Sequence, residues 1–272
     1  MIFNILSSSC PLLLTSIGAL FSEFAGVLAL FLEGIICFGG FLAYTFTFWT
    51  KNIYLGMIIS CLVCFIISCV FYMMIYKFKA NIFIAGIAIN LLFSFLTSFF
   101  SVKIFGTRGV LVSEEFNFTL NKIKSVQFSI ILITVLLVLF GIWFLFFTRQ
   151  GLFLRVSGYD SEVLTAKGGK IWIYKTLSWG IAGAYSSIAG CFLIMRVFSF
   201  VPNISSGRGW MALAAVYLGK KKSWKICLAV LIFCAADYFS SNLQNFISQI
   251  PNSVLLSMPY FVMILLIIFD KN

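Results

Sequence analysis

Long apolar runs separated by short polar breaks set the pattern of this chain. A helix rising about 1.5 Å per residue needs about 20 mainly apolar residues to cross roughly 30 Å of hydrocarbon. Seven runs read as spanning helices: 26–49, 53–76, 82–102, 126–147, 171–195, 226–246 and 254–269. Two weaker segments stand beside them, a short one at 10–21 and an eleven-residue run at 209–219 that precedes a lysine cluster. The first lacks a basic lead and a small-residue cleavage site, so it reads as retained rather than as a secretory signal. The pattern predicts an all-α fold. It is a single polytopic transmembrane helical bundle over 1–272, with eight or nine spans including a short broken helix.

Basic residues give the bundle a direction. Twelve of the nineteen Lys and Arg fall at 77–79, 149–175, 220–225 and 271, and the other seven at 51, 103–124, 196 and 208. The positive-inside rule assigns the first set to the cytoplasm. Parity then requires 209–219 to carry the chain inward, and an outward N-terminus follows if 10–21 also crosses. Two polar stretches interrupt the pattern: an external loop at 103–124, carrying Glu114 and Glu115 and long enough for a short surface helix, and a cytoplasmic loop at 148–170 of mixed charge. The mixture in the second suits a protein-docking surface better than a bare linker.

Composition settles the solvent. Apolar residues make up 62% of the 272 and charged ones 10%, with a mean hydropathy of +1.09; ordinary soluble domains stand at about 45–50% and 25%. So few charges cannot cover a soluble surface of this size. The formal charge of +11 would suggest nucleic acid in a soluble protein, but here it marks cytoplasmic loops and no nucleic-acid partner.

Candidate chemistry is sparse. There is no histidine, which removes the commonest general base and proton relay. Cys61-x-x-Cys64 lies inside an apolar run and reads as helix packing. Neither Gly169-Lys170 nor Gly219-Lys220 completes a phosphate-cradling loop, and Gly207-x-Gly209-x-x-Ala212 follows no strand and opens a membrane segment. Paired carboxylates, an activated serine and a metal cluster are not apparent, so no catalytic and no metal-binding residues are assigned. Ionisable and strongly polar groups at membrane depth are costly and mark function by default. Glu33, Asn90 and Asp237 are therefore the candidate residues of a translocation pathway, with Gly207, Arg208 and Gly209 at the broken helix.

Five stretches, in order, carry a resemblance: TSIGALFSEFAGVLALFLEG (15–34), NIFIAGIAINLL (81–92), GLFLRVSGYDSEVLTAKGG (151–169), SGRGWMALAAVYLG (206–219) and PNSVLLSMPY (251–260). Together they resemble the permeases of ABC importers, in the nucleoside and sugar branch related to branched-chain amino acid permeases. The Gly207-Arg208-Gly209 stretch is the most specific of them. Ala29, Ile82 and Asp160 stand where the family pattern has Asn, Gln and Asn. The resemblance implies an inner-membrane, multi-pass permease subunit that forms the pathway for nucleosides, purine nucleosides first, with monosaccharides or branched-chain amino acids as alternative cargoes. A secondary transporter and a membrane enzyme are the other classes considered. It implies no cofactor of its own, ATP being bound by a cytoplasmic ATPase partner. A second permease, as a paralogue, and an extracytoplasmic substrate-binding protein complete the expected assembly in the lipid bilayer. The 148–170 loop would dock on the ATPase through Arg155, Gly158, Asp160, Glu162, Ala166 and Gly169, with Gly158 at a turn and Asp160 capping a short helix.

Overall fold

The computed structural model describes residues 2–112, 120–246, 254 and 257–269. Among them are eleven helices: α1 (Ile2–Phe24), α2 (Leu32–Thr50), α3 (Ile53–Phe78), α4 (Ile82–Phe105), α5 (Leu120–Phe147), α6 (Arg149–Tyr159), α7 (Ser161–Ala166), α8 (Ile171–Val197), α9 (Arg208–Leu218), α10 (Ser223–Phe246) and α11 (Met258–Phe269). Seven are long and apolar enough to span: α1, α2, α3, α4, α5, α8 and α10. The short α9 and α11 complete the bundle.

The expected elements appear with instructive shifts. The weak segment at 10–21 is the centre of a full helix whose apolar stretch, Ile5–Phe24, is long enough to cross. The run expected from 26 begins as a helix only at Leu32, because Gly26 turns the chain at φ +71° and 27–29 have no regular secondary structure. The 148–170 loop is mostly helical, as α6 and α7. Of the external loop, Lys103 closes α4 and the last residues open α5, while Glu114, Glu115 and their expected surface helix lie outside the described residues. The 254–269 run is described only at Val254 and from 257 onward, where α11 is twelve residues long.

α8 is the central element, packed against α1, α2 and α3. Lipid tails are as apolar as leucine, so membrane helices associate by close packing and buried hydrogen bonds rather than by hydrophobic contrast. The sequence supplies both. Small residues face each other where α2 and α8 cross at Gly39 and Ser187, and where α3 and α8 cross at Ser68 and Gly183. Ser60 of α3 donates to the Gly39 carbonyl at 2.6 Å, and Ser187 lies 2.8 Å from the Ser60 hydroxyl, so one polar knot ties three helices. Trp179, fully buried, packs between Phe31 and Tyr72 with ring centroids at 4.4 and 5.3 Å. The outer faces of α3, α4 and α5 instead present exposed Leu62, Ile66, Leu91, Phe95, Leu136 and Phe140, as lipid or a partner subunit requires.

Contacts between distant segments agree with the charge-derived direction. At one end Lys221 reaches the Glu23 carboxylate at 3.3 Å and its carbonyl at 3.2 Å, and Gly158 lies against Gly26. At the other end Leu111 and Phe200 pair as a short antiparallel bridge. The residues assigned to the cytoplasm thus share one end, and two external loops meet at the other.

Candidate functional site

The site is built where two helices start inside the bundle. α9 has eleven residues, roughly 16 Å, about half of what a span needs. Gly34, in the first turn of α2, is held by Asn90, eight residues or about 12 Å along α4 from its first residue. Both N-termini therefore lie at membrane depth, where free N–H and C=O groups would cost several kcal/mol each.

Side chains from elsewhere in the chain satisfy them. Phe31 and Gly207, the residues capping α2 and α9, offer no side-chain cap. Instead Asn90 accepts from the Gly34 N–H at 2.8 Å through its Oδ1 and donates through Nδ2 to the Leu30 carbonyl. Glu33 accepts from the Gly207 N–H through Oε1 and from the Gly209 N–H through Oε2, both at 2.7 Å. Short N–H···O⁻ bonds at a helix N-terminus combine hydrogen bonding with the favourable end of the helix dipole. Gly209 permits this approach, since a Cβ there would fall 2.5 Å from the Glu33 backbone nitrogen. Glu33, Asn90, Gly207 and Gly209 thus form one clamp across two helix breaks.

Asp237 and Arg208 face a separate cavity beside it. Their charged groups are 3.9 Å apart, with the side chains 40% and 25% exposed. Arg208 also donates to the carbonyls of Ile204 and Ser205 at 3.4 and 3.3 Å. The cavity, about 460 Å³, lies between α1, α5, α8, α9 and α10, and Ser7, Gln127, Arg196 and Asn242 also line it. Two guanidiniums against one carboxylate make it a water-accessible, net-positive chamber. Sequence reasoning missed Arg196 as a site residue because a charge after a long apolar run reads as loop. It sits in the last turn of α8 and faces the chamber.

The expected docking residues divide into two groups. Asp160 caps α7, its Oδ1 accepting from the N–H groups of Glu162 at 3.0 Å and Val163 at 3.2 Å. Glu162 and Ala166 are exposed on α7, beside Tyr159 at 98% exposure and Val163 at 45%. Gly158, expected at a turn, is helical. A Cβ there would meet the Phe24 carbonyl and come within 2.5 Å of Gly26 N, so its smallness serves close packing of α6 against the end of α1. Arg155 lays its guanidinium over Phe146 at 5.1 Å, and a Cβ on Gly169 would meet Leu164. Both are turned toward the protein's own packing.

Among the described residues no group of His, Cys, Asp and Glu could hold a metal ion. No solved structure is significantly similar to the chain. The nucleoside ABC transporter permease protein NupC of Lactococcus lactis subsp. cremoris is 25% identical over 98% of this chain and 90% of its own length. The guanosine ABC transporter permease protein NupQ of Bacillus subtilis is 27% identical over 94% and 87%. A putative glucose ABC transporter permease protein, TsgC13 of Haloferax volcanii, is 27% identical over 86% and 74%. The family described as the branched-chain amino acid transport system permease component matches residues 1–269, nearly the whole chain. With the broken helices, the clamp and the spanning bundle in place, that match is decisive: the chain belongs to this family of transport permeases.

Proposed function

We propose that this chain forms the membrane pathway of an ABC importer for nucleosides, purine nucleosides first. The observation that carries the reading is end-to-end similarity to permeases named for nucleosides and guanosine, in a chain whose two helix breaks meet beside a polar chamber. Permeases of this family are multi-pass inner-membrane proteins that work with a separate ATPase and a substrate-binding protein. In this assembly the chain binds no cofactor, and ATP is held by a cytoplasmic ATPase that docks on the exposed face of α7. A second permease, a paralogue of this chain, faces it across the pathway. An extracytoplasmic binding protein delivers the substrate to the loops around Leu111 and Phe200. Rocking of the two permeases then exposes the pathway to one side at a time.

A monosaccharide is the second reading, favoured by the relative named for glucose. Uptake of radiolabelled guanosine, in cells with and without this gene and in competition with ribose and leucine, separates the cargoes. Loss of guanosine uptake without the gene, resistant to both competitors, is the expected result. Unchanged guanosine uptake without the gene overturns the nucleoside reading.

A further inference from the structure

A second, smaller cavity of about 170 Å³ lies toward the external end, beyond the Asn90 and Glu33 clamp. Its longest wall is a row of hydroxyls on α4, Ser94, Thr97, Ser98 and Ser101. From Asn90 to Ser101 this face of α4 covers roughly 16 Å, so the row leads from the external loops to the helix breaks.

The hydrogen bonds of the row define what it can recognise. Ser94 donates to the Asn90 carbonyl at 3.0 Å, Thr97 to Phe93 at 2.7 Å, Ser98 to Ser94 at 3.2 Å and Ser101 to Thr107 at 2.8 Å. Each hydroxyl has one proton, and all four are committed to backbone carbonyls. What remains is acceptor lone pairs, and among the described residues no N–H or O–H group donates to them, the Cys37 thiol on the facing helix being hydrogen-bonded, within the row, to Thr97 alone. Thr97 and Ser101 are each only 3% exposed and Ser94 and Ser98 are exposed, and the spare lone pairs can accept from a donor that enters the cavity. The complementary ligand therefore brings several O–H donors of its own. Phe200 supplies an apolar wall, held by the Phe41 ring at 5.5 Å, and Arg108 adds donors at the rim.

We propose that this cavity is a subsite for the hydroxyl-bearing ring of a neutral polyol, the ribose of a nucleoside, on its way to the helix breaks. The ring hydroxyls donate to the α4 row, the guanidinium of Arg108 donates to ring oxygens, and the C–H face rests on Phe200. The assignment of the ring to ribose rests on the nucleoside reading above; the row of acceptors does not.

The test compares guanosine with 2′,3′-dideoxyguanosine as substrates of the assembled transporter in native membranes. The variant pairs Thr97→Val with Ser98→Ala, whose hydroxyls donate only to carbonyls of their own helix. At equal membrane abundance, maximal guanosine uptake should fall about tenfold while uptake of the dideoxy analogue changes less than about twofold. Thr134→Val removes the same kind of buried, back-bonded hydroxyl from α5 and should change neither. An equal fall for both substrates, or no fall for either, overturns the subsite. If the wild-type protein carries neither nucleoside but does carry glucose, the nucleoside reading fails. The same variant tested on glucose against its 2-deoxy analogue then decides the subsite by the same selective loss.

Discussion

The Glu33 carboxylate is the most consequential single group in the clamp, and its replacement has a calculable effect. It receives two N–H groups at 2.7 Å, those of Gly207 and Gly209, at a depth where water replaces them poorly. Hydrogen bonds to a charged group contribute about 1.5–3 kcal/mol each. Glu33 is half-buried, so the lower end applies, and Glu33→Ala should cost about 3 kcal/mol. Glu33→Gln keeps one acceptor oxygen but turns an NH2 group toward the second donor, so about half of that loss should remain. Losses of this size reduce steady-state abundance several-fold. Membrane abundance by immunoblot, with thermal unfolding of the purified transporter, should rank wild type above Gln and Gln above Ala. Wild-type abundance and stability in Glu33→Ala would refute the clamp. A fully stable Glu33→Gln protein that no longer transports would refute it differently, by showing that the charge acts on the substrate and not on α9.

Gly158→Val should lower abundance, because a Cβ at this position collides with the backbone from Phe24 to Gly26 and overpacking typically costs about 1–3 kcal/mol; an immunoblot of membrane fractions checks it. Ala166→Trp, on the exposed face of α7, should leave abundance unchanged and lower uptake about tenfold through lost coupling, whereas Lys170→Gln, an exposed charge, should leave uptake within about twofold of wild type. Asp237→Asn should shift stability by less than about 1 kcal/mol in thermal unfolding, since the pair with Arg208 is 3.9 Å long and partly solvated. Single cysteines in a cysteine-free chain should react with an impermeant maleimide in intact cells at 106–109 and not at 160–167; labelling at 160–167 would invert the orientation.

How much of this was legible in the sequence depends on how local each signal is. Spans follow from apolar length and are read directly. Asp160 followed by a short helix is a local cap, and the bonds to Glu162 and Val163 realise it. The break at Gly207 to Gly209 is visible because glycine and arginine interrupt an apolar pattern. The break before α2 is not, because Val27 to Phe31 are as apolar as any helix in the chain. Gly26 opens that break, and it is held by tertiary bonds from Asn90, which lies 60 residues from Leu30 and 56 from Gly34. Glu33 was legible as an exceptional residue, but its partners 174 and 176 residues away were not. Gly158 shows the opposite limit: the glycine was noticed, yet its reason is a helix packed on a distant backbone, which no neighbouring residue signals.

These contacts place the two regions singled out in the sequence at opposite ends of one short stretch of chain. Gly26, where the chain leaves α1, lies against Gly158 near the end of α6, next to the exposed α7. Seven residues on, Glu33 holds the first N–H groups of α9. In between, the Leu30 carbonyl is fixed by Asn90 of α4. A segment without regular secondary structure over 27–29 can take up a rotation without breaking a helix, whereas its ends are held by close packing at Gly26 and by charge-assisted bonds at Glu33. A displacement of α6, which also packs on α1, α5 and α8, is therefore delivered to this segment as well as to those spanning helices. Gly158, packed on one end of the segment, and Glu33, at the other, are the residues whose substitution costs most in the predictions above, while the charges of the neighbouring chamber are longer-paired and wetter.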